Sequence, residues 1–150
     1  MIRAALALGM IASPLSAAPL WETLSTQCLA PMLTLAPPVE VGTATGLPEW
    51  WDGRADALAF DLGSGATLVI SRDRETICAV GAEDAARGAA AQAALTNWAR
   101  APGEDTPFVE IAPQTYESFE WREPRLRVGF VSSPSGAGGV VYVHETDLEA

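Results

Sequence analysis

The feature that most restricts the fold of this chain is its pair of cysteines, Cys28 and Cys78, the only two in 150 residues. Cys28 lies four residues after Leu24 and four before Met32, which places it on the apolar stripe of a predicted first helix. Cys78 and Val80 share one face of a predicted strand, because side chains alternate along a strand. We therefore predict a disulfide that joins a helix to a sheet. A redox-active pair is the alternative, but neither cysteine has the C-x-x-C spacing or neighbouring base that such thiols use.

A disulfide also fits the compartment that the N-terminus predicts. Arg3 is followed by the apolar run 4–12 and then by small residues, which is the pattern of a secretory signal peptide. We predict cleavage after Ala17, so that residues 1–17 are removed and residues 18–150 form a single domain. The chain is then periplasmic or secreted, where disulfides persist. The apolar run is much shorter than the roughly 20 residues that span a bilayer, so we expect no transmembrane segment after cleavage.

Hydrophobic periodicity and turn residues indicate the elements of the first half. Pro31 should kink or end the first helix near Ala30, because proline lacks the N–H of a helical hydrogen bond. Residues 36–55 are rich in proline and glycine and show neither the helical nor the strand periodicity of apolar residues, so they predict a long loop. Residues 57–72 read as a hairpin around a glycine turn, and the strand of Cys78 completes a three-stranded meander.

The second half follows the same logic and sets the fold class. Residues 82–100 are rich in alanine and end at an arginine before Pro102, which predicts a second helix. Four further segments have strand character: 107–111, 119–122, 126–131 and 140–144. We therefore predict an α+β domain, in which a single antiparallel sheet of about 5–7 strands packs against two helices.

Charge excludes several classes of function. All nine cations are arginines against 19 acidic residues, which gives a formal net charge of −10. Without lysine there can be no Walker lysine and no Schiff-base chemistry. The acidic balance argues against a nucleic-acid partner. The sequence also lacks the ligand spacing of a zinc or calcium site, so we predict no metal and no cofactor.

The most informative polar and aromatic cluster is Trp50 and Trp51, followed by Asp52 and Arg54. An exposed tryptophan beside an arginine is the composition of a contact hot spot, so these four residues are the predicted binding residues. The alternative, which we favour for the two indoles, is that one covers the end of the core while the other lies flat on Pro48.

His144 is the only histidine, so any histidine-dependent reaction must use it. Ser132, Ser133 and Asp147 are close in sequence, and a hydrolase relying on His144 and Asp147 is the catalytic alternative. No G-x-S-x-G motif precedes them, and triads are recognised by geometry rather than by proximity along the chain. We favour a structural histidine.

The layout of the chain resembles a family of small, uncharacterised secreted proteins of high-GC bacteria. The shared features are a signal peptide, a first helix with Cys28-Leu29-Ala30-Pro31, a loop with tryptophan, a strand with Cys78-Ala79-Val80 and an alanine-rich helix. The resemblance implies a helix-to-strand disulfide and no particular activity. We predict a non-catalytic periplasmic domain that binds a protein or small ligand, and specifically an inhibitor of a basic cell-wall hydrolase.

Overall fold

A computed structural model describes residues 19–100, 108–118 and 124–146 of the chain as a sheet covered by helices on one face. The N-terminal helical segment consists of α1 (Leu20–Leu24), a π-helical turn (Ser25–Leu29) and α2 (Ala30–Leu33), and the second helix is α3 (Ala85–Arg100). The strands are β1 (Thr43–Thr45), β2 (Leu58–Gly63), β3 (Ala66–Ser71), β4 (Ile77–Ala82), β5 (Phe108–Ala112), β6 (Thr115–Ser118), β7 (Arg125–Ser132) and β8 (Gly139–Thr146).

The strands form one antiparallel sheet in the order β1-β2-β3-β4-β8-β7-β6-β5. The predicted α+β class, with an antiparallel sheet packed against two helices, is confirmed. The predicted strand number is wrong, because the sheet has eight strands rather than five to seven. The additional strand is β1, which lies within the predicted loop 36–55. Its three residues are exposed at the edge of the sheet, so they carry no alternation of apolar and polar residues.

Several sequence predictions fall outside the described residues. They are the signal peptide at 1–17, the strand segment 119–122 and Asp147. In the second half the structure has β6 just before that strand segment, at Thr115–Ser118. No helix within the described ranges is long and apolar enough to cross a membrane.

Of the two predicted effects of Pro31, a kink or an end of the helix near Ala30, the end does not occur: helical structure is interrupted by the π-helical turn Ser25–Leu29 and continues to Leu33. In an α-helix the N–H of residue 31 would donate to the carbonyl of Gln27, and proline has no N–H to give. The N–H of Val39, in the following loop, donates to that carbonyl at 2.8 Å, and the π-helical turn lies just before α2. The helix ends at Leu33, and two residues later Leu35 has a φ of 64° and an exposed side chain.

The main core lies between the helices and one face of the sheet. It contains fully buried side chains from both helices and from strands β3, β4, β7 and β8: Leu24, Leu95, Leu68, Val80, Val128 and Val141. The predicted disulfide is confirmed, since Cys28 in the π-helical turn is bonded to Cys78 in β4. Both cysteines are 0% exposed, so the bond fastens the first helix to the middle of the sheet.

The sheet is built from two halves with the same order of elements. Each half is a helical segment followed by a meander of four strands, β1–β4 and then β5–β8. The last strands of the two halves, β4 and β8, pair with each other in the centre, with Val80 opposite Val141. The halves differ in the connection between their first two strands: β1 and β2 are joined by residues 46–57, and β5 and β6 by a turn at residues 113–114.

Candidate binding groove on the second face of the sheet

The long connection 46–57 folds over the face of the sheet that the helices leave open. Trp50 in this connection is 7% exposed and packs in a second, smaller core cluster with Ala59, Val69, Ala79 and Val140. The indole lies against β4, where a Cβ on residue 81 would come within 2.7 Å of its Cε2 atom. Glycine at that position therefore lets the ring approach the strand. Trp50 covers the second face of the sheet rather than the end of the main core.

Trp51 is half-buried and is held by its own loop. Its indole N–H donates to the carbonyl of Arg54 at 2.9 Å, and its backbone N–H donates to the carbonyl of Pro48 at 3.0 Å. A Cβ on Gly53 would collide with the indole ring, so the absence of a side chain there allows the ring to fold back over the turn. The loop therefore fixes the position of Trp51 before any ligand binds.

Arg54 fastens this loop to the turn between β3 and β4. Its guanidinium lies 2.6 Å from the carboxylate of Asp73 and 3.2 Å from that of Asp56. The hydrogen bond to Asp56, followed by the charges of Asp56 and Asp73, raises the pKa of Arg54 above its ordinary value. The guanidinium is thus engaged within the protein. Asp52 is exposed and makes no ion pair with the described part of the chain.

Beside the two tryptophans the second face carries a groove of about 370 Å³. One wall is the loop segment 50–53, the floor is formed by side chains of β4 and β8, and the other wall is the hairpin between β7 and β8. Val131 in the hairpin wall is 50% exposed. Tyr142 of the floor lies over Gly129, where a Cβ would be 2.5 Å from the tyrosine oxygen. The groove therefore combines aromatic and aliphatic surface with the carboxylate of Asp52.

The structure brings together three of the four predicted binding residues and separates the fourth. Trp50, Trp51 and Asp52 line the groove, whereas the Arg54 guanidinium points to the β3–β4 turn. Tyr142 and Val131 were missed as groove residues. Period-two alternation places each of them on a strand face, but only the strand order shows that these faces adjoin the tryptophan loop.

His144 lies at the end of β8 and contacts a carboxylate rather than a serine. Its Nε2 atom is 2.6 Å from Oε2 of Glu75, which lies in the connection between β3 and β4. The hydroxyl of Ser133 donates to Glu83 at 2.8 Å, on the other side of the groove. Within the described residues, no serine, histidine and aspartate are assembled as a triad.

A second polar cluster on this face was not anticipated. Glu117 of β6 accepts from Arg125 at 3.3 Å and from Arg127 at 3.0 Å, and its side chain is only 10% exposed. The sequence predicts that the two arginines lie on one face of a strand. It does not show which carboxylate lies beside them, because the position of Glu117 depends on the pairing of β6 with β7. This cluster joins side chains of the two paired strands.

Across the described ranges, no group of three or more histidine, cysteine, aspartate or glutamate side chains is placed to hold a metal ion. The chain matches no known family model, no curated protein and no solved structure. Inference about function therefore rests on the groove itself.

Proposed function

We propose that this protein is an exported, non-catalytic domain that binds a basic partner protein through the groove on the second face of the sheet. The observation that carries the proposal is the groove: the helices cover one face, and the other offers Trp51, Tyr142 and Val131 beside a loop that is already fixed. Aromatic side chains held in one position provide contact area at little cost in conformational entropy.

Charge supports a basic partner. Asp52 is the one charged residue among the described residues that line the groove, and the whole chain carries −10. A strongly acidic protein attracts cations and is repelled by polyanions, so a basic protein would be steered to this surface. Periplasmic or secreted location belongs to the same proposal, and inhibition of a basic cell-wall hydrolase is its specific form.

Hydrolysis using His144 is the second candidate. The observation in its favour is the 2.6 Å contact with Glu75, because a carboxylate can orient an imidazole as a base. No serine hydroxyl is placed beside that imidazole in the described residues, and Ser133 is engaged by Glu83. A binding role therefore has more support from the geometry.

The test uses lysozyme, a basic cell-wall hydrolase, as the probe. Binding is measured by calorimetry at about 50 and 500 mM salt, and inhibition by cell-wall lysis. We expect binding that weakens at least about tenfold at high salt. Val131→Arg should abolish it, because a positive charge in the groove wall repels a basic partner and occupies the site beside Asp52. Val109→Arg is the matched control, because Val109 in β5 is 48% exposed and lies outside the groove.

Three outcomes would count against the proposal. No binding to lysozyme would refute the inhibitor form. Binding that is equally affected by Val131→Arg and Val109→Arg would refute the groove as the contact site. Turnover of p-nitrophenyl acetate that disappears in His144→Ala would favour the hydrolase instead.

A further inference from the structure

The groove gathers a set of side chains that suits one kind of chemical group. Trp50, Trp51 and Tyr142 line it together with the carboxylate of Asp52, and no arginine is among its described lining residues. Aromatic rings attract a cation through their negative faces, with tryptophan the strongest, and a carboxylate adds direct charge attraction. The two partly exposed rings, those of Trp51 and Tyr142, and one acidic residue therefore favour an organic cation over a neutral or anionic group.

Two arginines that adjoin the groove in sequence or share its face of the sheet are engaged in ion pairs. Arg54 follows the loop wall closely, but its guanidinium is paired with Asp73 and Asp56. Arg127 lies on the same face of the sheet and is paired with Glu117 at 3.0 Å. Neither of these two guanidinium groups therefore occupies the groove, and no arginine is among its described lining residues.

We infer that the groove receives the cationic end of an arginine or lysine side chain of the bound partner, which stacks on Trp51 and Tyr142 and pairs with Asp52. The partner in this inference rests on the proposed function, whereas the chemistry of the groove does not. The groove volume of about 370 Å³ admits one such side-chain end. The aliphatic stem of the side chain would lie along Val131 and the hairpin wall, since long cationic side chains cover apolar surface with their methylene groups.

The inference is tested with small probes that differ in charge at nearly constant shape. The probes are N-acetyl-arginine methylamide, choline, and 3,3-dimethylbutanol, which is the neutral isostere of choline. Binding is followed by titration in two-dimensional NMR of the labelled protein. We expect the arginine amide to bind in the millimolar range with shifts at Trp51 and Tyr142, and at least about tenfold more tightly than the isostere.

Asp52→Asn provides the matched substitution, because it removes the charge and keeps the shape of an exposed side chain. We expect it to weaken the arginine amide about fivefold or more. Glu22→Gln removes the same charge from an exposed position on α1, on the other face of the sheet, and should leave affinity unchanged. Equal losses in the two variants would show an effect of net charge alone and overturn the inference.

Other results separate this inference from the proposed function. If the isostere binds as well as choline, or if no probe binds, the groove is not a cation site and the inference falls. If choline binds more tightly than the arginine amide, a free quaternary ammonium is the ligand and the side-chain assignment falls. If lysozyme binding is lost in Val131→Arg but unchanged in Asp52→Asn, the proposed function stands and the groove holds an apolar anchor instead.

Discussion

Replacing both Cys28 and Cys78 by alanine removes the single covalent link between the first helix and the sheet. The bond closes a loop with a sequence separation of 50 residues. In the chain-entropy description, closing such a loop restricts the unfolded chain by about 4 kcal/mol at 25 °C. Both sulfurs lie in the core, and alanine leaves no polar group there, so the variant isolates the loss of the link from the cost of burying a hydroxyl.

This free energy translates into a large shift in melting temperature. For the predicted domain 18–150, about 130 residues long, the unfolding entropy near 60 °C is about 0.27 kcal/mol/K. A loss of about 4 kcal/mol therefore lowers the Tm by about 15 °C. The native fold itself should persist, because both helices and the central strands keep their apolar contacts.

The assay is thermal unfolding followed by circular dichroism and calorimetry, with and without reductant. The reductant should lower the Tm of the wild type by a similar amount and leave that of the double variant unchanged, which is the internal control. Intact mass after alkylation establishes the redox state of each sample. A Tm shift below about 5 °C in the fully reduced wild type would refute the entropic argument, and two alkylated thiols without reductant would refute the bond.

Three further predictions concern groups that the fold holds in place. Gly138→Ala should destabilise by about 1–3 kcal/mol in urea unfolding, because the new Cβ would collide with a backbone carbonyl of β4, whereas Gly46→Ala has open space and should be near neutral. Hydrogen bonds from Ser135 and Ser133 lower the pKa of Glu83 below its ordinary value of 4.5. The stability that ionised Glu83 contributes is therefore present above pH 4.5 and is lost as the pH falls through the lower pKa of the folded state. Glu83→Gln should flatten this acid limb in pH-dependent melts, and an unchanged limb would contradict the assignment. Glu117→Gln should cost about 1–2 kcal/mol by leaving two arginines without their shared carboxylate, and the exposed Glu110→Gln on the neighbouring strand should cost almost nothing.

The sequence predicts those parts of the fold that depend on local patterns. The stripe containing Cys28, the strand face of Cys78, the hairpin around Ser64 and Gly65 and the alanine-rich helix follow from periodicity and turn chemistry. Edge strand β1 was missed because a strand exposed on both faces needs no apolar alternation. The sequence leaves open whether the helix kinks or ends at Pro31, because the donor that replaces the missing N–H comes from a later loop.

The candidate site depends on non-local pairing, so the sequence predicts only one side of it. The tryptophan loop is recognisable by composition, but its neighbours across the groove are defined by the position of β8 between β4 and β7. Arginine is a residue type common in contact sites, which is why the sequence favours Arg54 as a binding residue. That Arg54 instead holds the loop to the β3–β4 turn is visible only from the position of Asp73 in the fold.

The central position of β8 has a consequence for the order of assembly. It is the last of the eight strands along the chain, yet it lies between strands of the two halves and pairs with both of them. Before β8 pairs, both β4 and β7 are open strand edges. The side chains of Val80 and Val128, which are buried in the folded protein, then lack the neighbouring strand between them. We therefore expect the sheet to become continuous late in folding, when β8 pairs with β4 and β7. During synthesis from the N-terminus, local helices and hairpins can form early, whereas the continuous sheet requires contacts of long sequence separation.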